Sequence, residues 1–129
     1  MATRDFFTYI AEFLPLGASA TTPVNVPIQA DSDFELLQLT GDVRTLVTDE
    51  VVIAAPNLLV TLVDQGTGRQ LMDAGVIFTN LIGTAQRPAI LPMPKAIRAN
   101  SVIRVTCQNL VAAARFVRIA LIGYKVFGG

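Results

Sequence analysis

Wherever the pattern along this chain is clean, apolar and polar residues alternate with a period of two. That spacing sends successive side chains to opposite faces of a β-strand. Residues 101–108 (SVIRVTCQ) put Ile103, Val105 and Cys107 on one face and Arg104, Thr106 and Gln108 on the other. Residues 115–125 (RFVRIALIGYK) bring Val117, Ile119 and Leu121 together, while the opposite face starts with Arg118 and continues as Ala120, Ile122 and Tyr124. The later half of that strand is apolar on both sides, which predicts a sheet over one face and another subunit over the other. Residues 58–63 (LLVTLV) are an unbroken apolar run of strand length, the pattern of a central sandwich strand. Residues 34–39 and 22–28 read as further strands. The second contains Pro23 and Pro27, which cannot donate to a ladder, and so belongs at an edge or in irregular chain.

Two stretches leave helix and strand open. Residues 6–14 space Phe6, Phe7, Ile10, Phe13 and Leu14 compatibly with a helix, but their aromatic and β-branched content suits a strand equally. Residues 110–115 (LVAAAR) suffice for one helical turn capped by Asn109, unless Asn109 simply heads a loop. Turn signals at Gly17, residues 40–42, 56–57, 66–68, Gly83, 92–94, 99–100 and Asn109 cut the chain into short segments. Short strands at this spacing, with no long helical segment, predict an all-β fold: an antiparallel β-sandwich, jelly-roll-like, with residues 1–129 as a single domain. Residues 1–20 are expected to form an extended N-terminal arm or an edge segment. Residues 18–26, small residues mixed with Thr and Pro, also suit an arm.

One motif invites a nucleotide. Residues 63–71 (VDQGTGRQL) place glycines after an apolar run, but Gly68 is followed by Arg69 and Gln70 where a P-loop needs lysine and a hydroxyl. A dinucleotide fingerprint needs a third glycine where Leu71 stands, and then a helix, which Gly75 would break. Apolar runs on both sides of a short glycine-containing link predict a hairpin, with glycine at positive φ.

Composition narrows the chemistry. Histidine is absent and serine occurs only at positions 19, 32 and 101, so His-assisted nucleophilic mechanisms are excluded, as are zinc sites built from Cys and His. Cys107 is the single cysteine, in an alternating run, and reads as a small buried hydrophobe. The expectation is a protein that is not an enzyme and holds no cofactor. Arg4 and Asp5 offset one another and Glu12 interrupts the first apolar stretch, so the start does not read as a signal peptide; no apolar run approaches the ~20 residues of a membrane span. With 52% hydrophobic and 16% charged residues, against about 25% charged in an average domain, the chain has few charges to cover its exterior. That predicts apolar surface hidden by another protein.

Charge is split along the chain: nine of the ten acids lie in residues 1–64 and eight of the ten Lys and Arg in residues 65–129. Cancellation within one folded molecule explains this simply; two patches that meet a partner are the alternative. On the acidic side, Asp31, Asp33 and Glu35 alternate and would share one face of an extended strand. As a calcium loop numbered from Asp31 they fail, with Leu36 at the sixth place and Asp42 at the twelfth, which leaves a solvated or partner-facing acid patch. The basic candidates for a partner face are Arg87, Lys95, Arg98 and Arg118; spread singly, without interleaved aromatics, they argue against nucleic acid. Residues 88–95 (PAILPMPK) form an extended connector whose Ile90, Leu91 and Met93 are too apolar for a free loop, making it the best candidate for a subunit contact. The aromatic residues Phe6, Phe7 and Phe13 near the start, and Tyr124 near the end, are further interface candidates.

The segments FTYIAEFLPLG (7–17), IQADSDFELLQLTG (28–41), LVTLVDQGTGRQL (59–71), NLIGTAQRPAILPMP (80–94) and ANSVIRVTCQN (99–109) give the chain an overall pattern that resembles the small cement or decoration proteins of tailed bacteriophages with HK97-like capsids. The resemblance covers most of the chain and rests on no diagnostic motif. It implies a virion protein on the capsid exterior, made in the host bacterial cytoplasm. Such a protein self-associates, as a homodimer or a trimer, binds the major capsid protein and stabilises the shell. A tail-, neck- or fibre-associated sandwich is the alternative, and a sugar- or small-ligand-binding jelly roll a third. Nucleic acid and membrane are not expected partners.

Overall fold

A computed structural model describes residues 3–44, 57–66, 68–70, 75–77, 82 and 89–127. Within them run nine strands: β1 (Thr3–Leu16), β2 (Thr21–Pro27), β3 (Asp33–Arg44), β4 (Leu58–Asp64), β5 (Arg69–Gln70), β6 (Val76–Ile77), β7 (Ala89–Ile97), β8 (Val102–Asn109) and β9 (Arg115–Phe127). One sheet has the order β1-β9-β3-β7; the other runs β2-β8-β4, with β5 and β6 both lying along the far side of β4. Every pairing is antiparallel. The protein is thus an all-β, two-sheet antiparallel sandwich.

The pairing is nested. β1 lies against β9, β2 against β8, β3 against β7, and β4 against β5 and β6, as in a long hairpin folded back on itself. Two further pairings, β3 with β9 and β4 with β8, join these couples into the two sheets.

Alternation assigns the core. On the four-stranded sheet, Phe13, Val117 and Val43 stand opposite one another across β1, β9 and β3, as do Tyr9, Leu121 and Leu39, and all six are buried. On the other sheet the buried apolar residues are Val26 of β2, Ile103, Val105 and Cys107 of β8, and Leu58, Val60 and Leu62 of β4. These residues form one hydrophobic cluster, with Tyr9 edge-to-face against Phe34 at 4.8 Å between centroids. Burying each Leu- or Val-sized side chain contributes about 1.5–3 kcal/mol. Burial pushes the Cys107 thiol up to about 12, the state of an inert core residue.

The ambiguous stretches are now resolved. Over Thr3–Leu16 the chain takes the second of the two expected forms, an edge strand of the described four-stranded sheet and not a free arm, because Tyr9, Ala11 and Phe13 alternate into the core. β2, with its two prolines, is the edge of the other sheet. Residues 110–114 form bends, not a helical turn. Asn109 is buried and fastens them: its amide donates to the carbonyls of Gly17 (3.0 Å) and Ala113 (2.8 Å), and its Oδ1 accepts from Val111 N–H (3.0 Å).

The glycine-rich link is a hairpin turn. Val63 pairs with Gln70 and Asp64 with Arg69. The Asp64 carboxylate accepts the Gly66 N–H at 3.0 Å, its carbonyl accepts the Gly68 N–H at 2.8 Å, and Gly68 has φ of 71°. The Gly66 and Gly68 N–H groups, which a phosphate would need, are spent on the turn itself.

Candidate functional site

The two outer faces of the sandwich differ in chemistry. On β2 and β8 the outward pairs are Thr21 with Gln108, Pro23 with Thr106, and Asn25 with Arg104, whose Nε donates to the Asn25 side chain at 3.2 Å. Over these two strands the face carries hydroxyl, amide and guanidinium groups suited to water, while Leu59 and Val63 of β4, in the same rows, are half-buried.

The outer face of the four-stranded sheet is different. Because Tyr9, Ala11 and Phe13 point inward, the parity of β1 turns Phe6, Thr8, Ile10 and Glu12 outward. The register lays them in rows across the sheet: Phe6–Tyr124–Glu35–Ala96, then Thr8–Ile122–Gln38–Ile90, then Ile10–Ala120–Thr40, then Glu12–Arg118–Asp42. Phe6 is 70% exposed and Ile90 69%; Ile10 and Tyr124 are also exposed large hydrophobics, and Ala120 and Ile122 are half-buried between them. Charges frame this surface. At one end Arg4 Nε meets Glu35 Oε1 at 2.7 Å, and at the other Arg118 Nε lies 3.6 Å from Glu12. The apolar outward side of β9 expected from Ala120, Ile122 and Tyr124 is therefore the middle of a broader apolar strip.

The remaining interface candidates separate. Phe13 is 2% exposed and is a core residue, not a surface one, since it shares the inward parity of Tyr9 and Ala11. Phe7 is half-buried, edge-to-face with Tyr9 at 4.7 Å. Above it Lys125 Nζ sits 4.1 Å from the ring centroid, itself buried, donating to the Gln29 side chain and to Asp31 Oδ2 at 3.1 Å. Along β7 the expected extended connector is an edge strand. Its pairing with β3 skips between Lys95 and Ile90, since Pro92 and Pro94 cannot donate. Leu91 packs against the core, Met93 is 77% exposed, Lys95 is half-buried and Arg98 is exposed. Arg87 lies outside the described residues.

The three acids do not act together. Asp31 precedes β3 and pairs with Lys125, Asp33 accepts the Ala99 N–H at 2.9 Å, and Glu35 pairs with Arg4. Each carboxylate has a separate structural partner, and among the described residues no cluster of such side chains is arranged to hold a metal ion. Two ion pairs, Glu12–Arg118 and Asp31–Lys125, join the acidic first half to the basic second half, so part of the charge split cancels inside the fold.

Sequence reasoning put Ala120, Ile122 and Tyr124 on one outward face and named Phe6 and Ile90 separately, but missed Ile10 and the rows that join all of these into one surface. The signal was available: once residues 6–14 are read as a strand with Tyr9, Ala11 and Phe13 inward, Ile10 must face out. The sequence matches no known family and no characterised protein.

Proposed function

We propose that this protein is a non-enzymatic structural component of a virus particle, a jelly roll that self-associates and binds the outer surface of a capsid to stabilise the shell. The nested strand pairing supports the jelly-roll assignment, since that fold rolls one long antiparallel hairpin into two sheets. The observation that carries the functional reading is a difference between the outer faces: over β2 and β8 the exposed residues are polar, whereas the four-stranded sheet carries an apolar strip built on Phe6, Ile10, Tyr124 and Ile90. An apolar surface framed by ion pairs is the kind that another protein covers. Together with the resemblance of its sequence segments to phage cement proteins, this favours attachment to major capsid protein. Each bound copy would add contacts present only in the assembled lattice, shifting the equilibrium away from free subunits.

The test is co-sedimentation of the purified protein with particles of the virus that encodes it, followed by imaging. Density on the shell, lost when Tyr124→Glu and Ile90→Glu are combined, is the expected result. Density on the tail or neck would move the protein to that part of the virion, and absence from particles would end the proposal.

A further inference from the structure

The edge strand β1 carries a pattern that complements itself. Among the described residues β1 has a neighbour on one side only, β9. A 14-residue strand with an open side presents a row of backbone donors and acceptors ready to pair with another strand. Its outward side chains, read from Arg4 to Glu12, are Arg4, Phe6, Thr8, Ile10 and Glu12: cation, apolar, hydroxyl, apolar, anion.

We propose that two copies of this chain associate through β1, antiparallel, about a two-fold axis at Thr8. In that register Arg4 stands opposite Glu12 of the second copy, Phe6 opposite Ile10, and Thr8 opposite Thr8. Cross-strand pairs of opposite charge, of large apolar side chains and of threonines are each favourable neighbours in a sheet. On the inner face Phe7 meets Tyr9 of the second copy, while Asp5 falls opposite Ala11. Sliding the register by two residues either way sets Arg4 against Leu14 or Ile10 and breaks every charge match. Parallel, in-register pairing sets Arg4 against Arg4. The charges offered by the strand therefore select a single arrangement.

The surroundings extend the match. Within one copy Glu12 lies beside Arg118, which lies opposite Asp42 in the register, and Arg4 is bonded to Glu35. Across the seam this gives Asp42, Arg118, Glu12, then Arg4 and Glu35 of the second copy, alternating in sign throughout. The symmetry supplies the same row twice, as an isologous interface requires. The two four-stranded sheets become one eight-stranded sheet, and their apolar strips join, so Phe6 and Ile10 pack side by side across the seam while Tyr124 and Ile90 remain open for a further partner.

This deepens the self-association in the proposed function and is measured without any capsid. Sedimentation should give a dimer for the natural chain. Arg4→Glu and Glu12→Arg, each alone, place like charges opposite one another twice per dimer and should weaken association at least tenfold. Mixing the two variants should restore a dimer, because one partner then carries two anions where the other carries two cations. Both changes sit in exposed intrachain pairs, and circular dichroism verifies that each variant is folded. As an independent arm, Thr8→Cys should form a disulfide-linked dimer on mild oxidation, with Cys107 too buried to compete, whereas Ile10→Cys should not. A monomeric natural chain, a dimer indifferent to both charge reversals, or a mixture that stays monomeric would overturn the arrangement. A dimer that ignores viral particles removes only the capsid reading; a monomer that binds them removes only this interface.

Discussion

Gly123 of β9 packs directly against the backbone carbonyl of Glu35 in β3: a Cβ added to Gly123 would lie far inside the 3.0 Å below which real Cβ contacts essentially never occur. The neighbouring atoms are main chain, so no side chain can swing away. The approach coincides with an irregularity in the register, where Leu36 pairs with Gly123 and Gln38 with Ile122, leaving Leu37 as the extra residue of a bulge.

Gly123→Ala is accordingly expected to be among the most damaging small substitutions in the protein. Relieving the clash means moving two central strands, and the cost should reach about 3–5 kcal/mol or prevent folding. Urea denaturation of the purified variant measures it. A midpoint within experimental error of the natural protein would show that β3 does not cross Gly123 as described.

Lys125 and Asp31 make a second test. The lysine is buried with its ammonium held by Gln29, Asp31 and the face of Phe7, whereas the Asp31 carboxylate is about half exposed. Removing the anion leaves a buried cation short of its partner, so Asp31→Asn should destabilise by about 1–2 kcal/mol. Lys125→Met removes the charge together with the need to solvate it and should cost less. The order of the two denaturation midpoints decides the matter; Lys125→Met being the worse would contradict it.

Asn109→Ala should loosen the end of the sandwich where residues 17–20 meet residues 110–114. Three hydrogen bonds vanish: the Ala113 carbonyl and the Val111 N–H lose the Asn109 side chain, and the Gly17 carbonyl keeps the Ala20 N–H. A loss of about 2–3 kcal/mol is expected. Hydrogen exchange should show faster opening at Val111 and Ser19, whose N–H bonds to the Val111 carbonyl, with little change in β4.

Cys107 supplies a pH dependence. Its thiol ordinarily ionises near 9.0 and is raised to about 12 in the fold by desolvation. Below the ordinary value both states hold the proton and nothing is lost. Between the two values the unfolded chain releases it and the native chain keeps it, so stability falls as pH rises, by about 1.4 kcal/mol per unit. The difference between the natural protein and Cys107→Ala, followed by melting from pH 8 to 11, isolates this contribution from lysine and tyrosine. Thiol reagents should label Cys107 only in denaturant.

Much of the architecture was legible because burial in a sandwich imposes a period of two. Ile103, Val105 and Cys107 read inward from their spacing alone, and so did Val117, Ile119 and Leu121. β4 was harder: Leu58, Val60 and Leu62 are buried while Leu59, Thr61 and Val63 are half-buried, so an unbroken run marked a strand without marking its inner face. Phe6 to Leu14 stayed ambiguous because aromatic residues on both faces of a strand mimic helical spacing. Phe13 was misread as surface for the same reason. The apolar strip was legible only in pieces, since its rows combine residues more than a hundred positions apart, such as Phe6 with Tyr124. The acid triplet, read as a solvated or partner-facing patch, has intrachain partners that spacing along the sequence could not reveal: Lys125 for Asp31, the Ala99 N–H for Asp33 and Arg4 for Glu35.

The place of β9 between β1 and β3 has a consequence for biosynthesis. The strand at the centre of that sheet is the last of the nine to leave the ribosome, and Thr3 finds its neighbour only when Phe127 arrives. Until then β1 lacks the neighbour it has in the described sheet and its apolar side chains wait uncovered, so this half can close only after β9 has emerged. Slow release, crowding or truncation upstream of β9 would leave the edges of β1 and β3 that β9 covers open to pairing between chains.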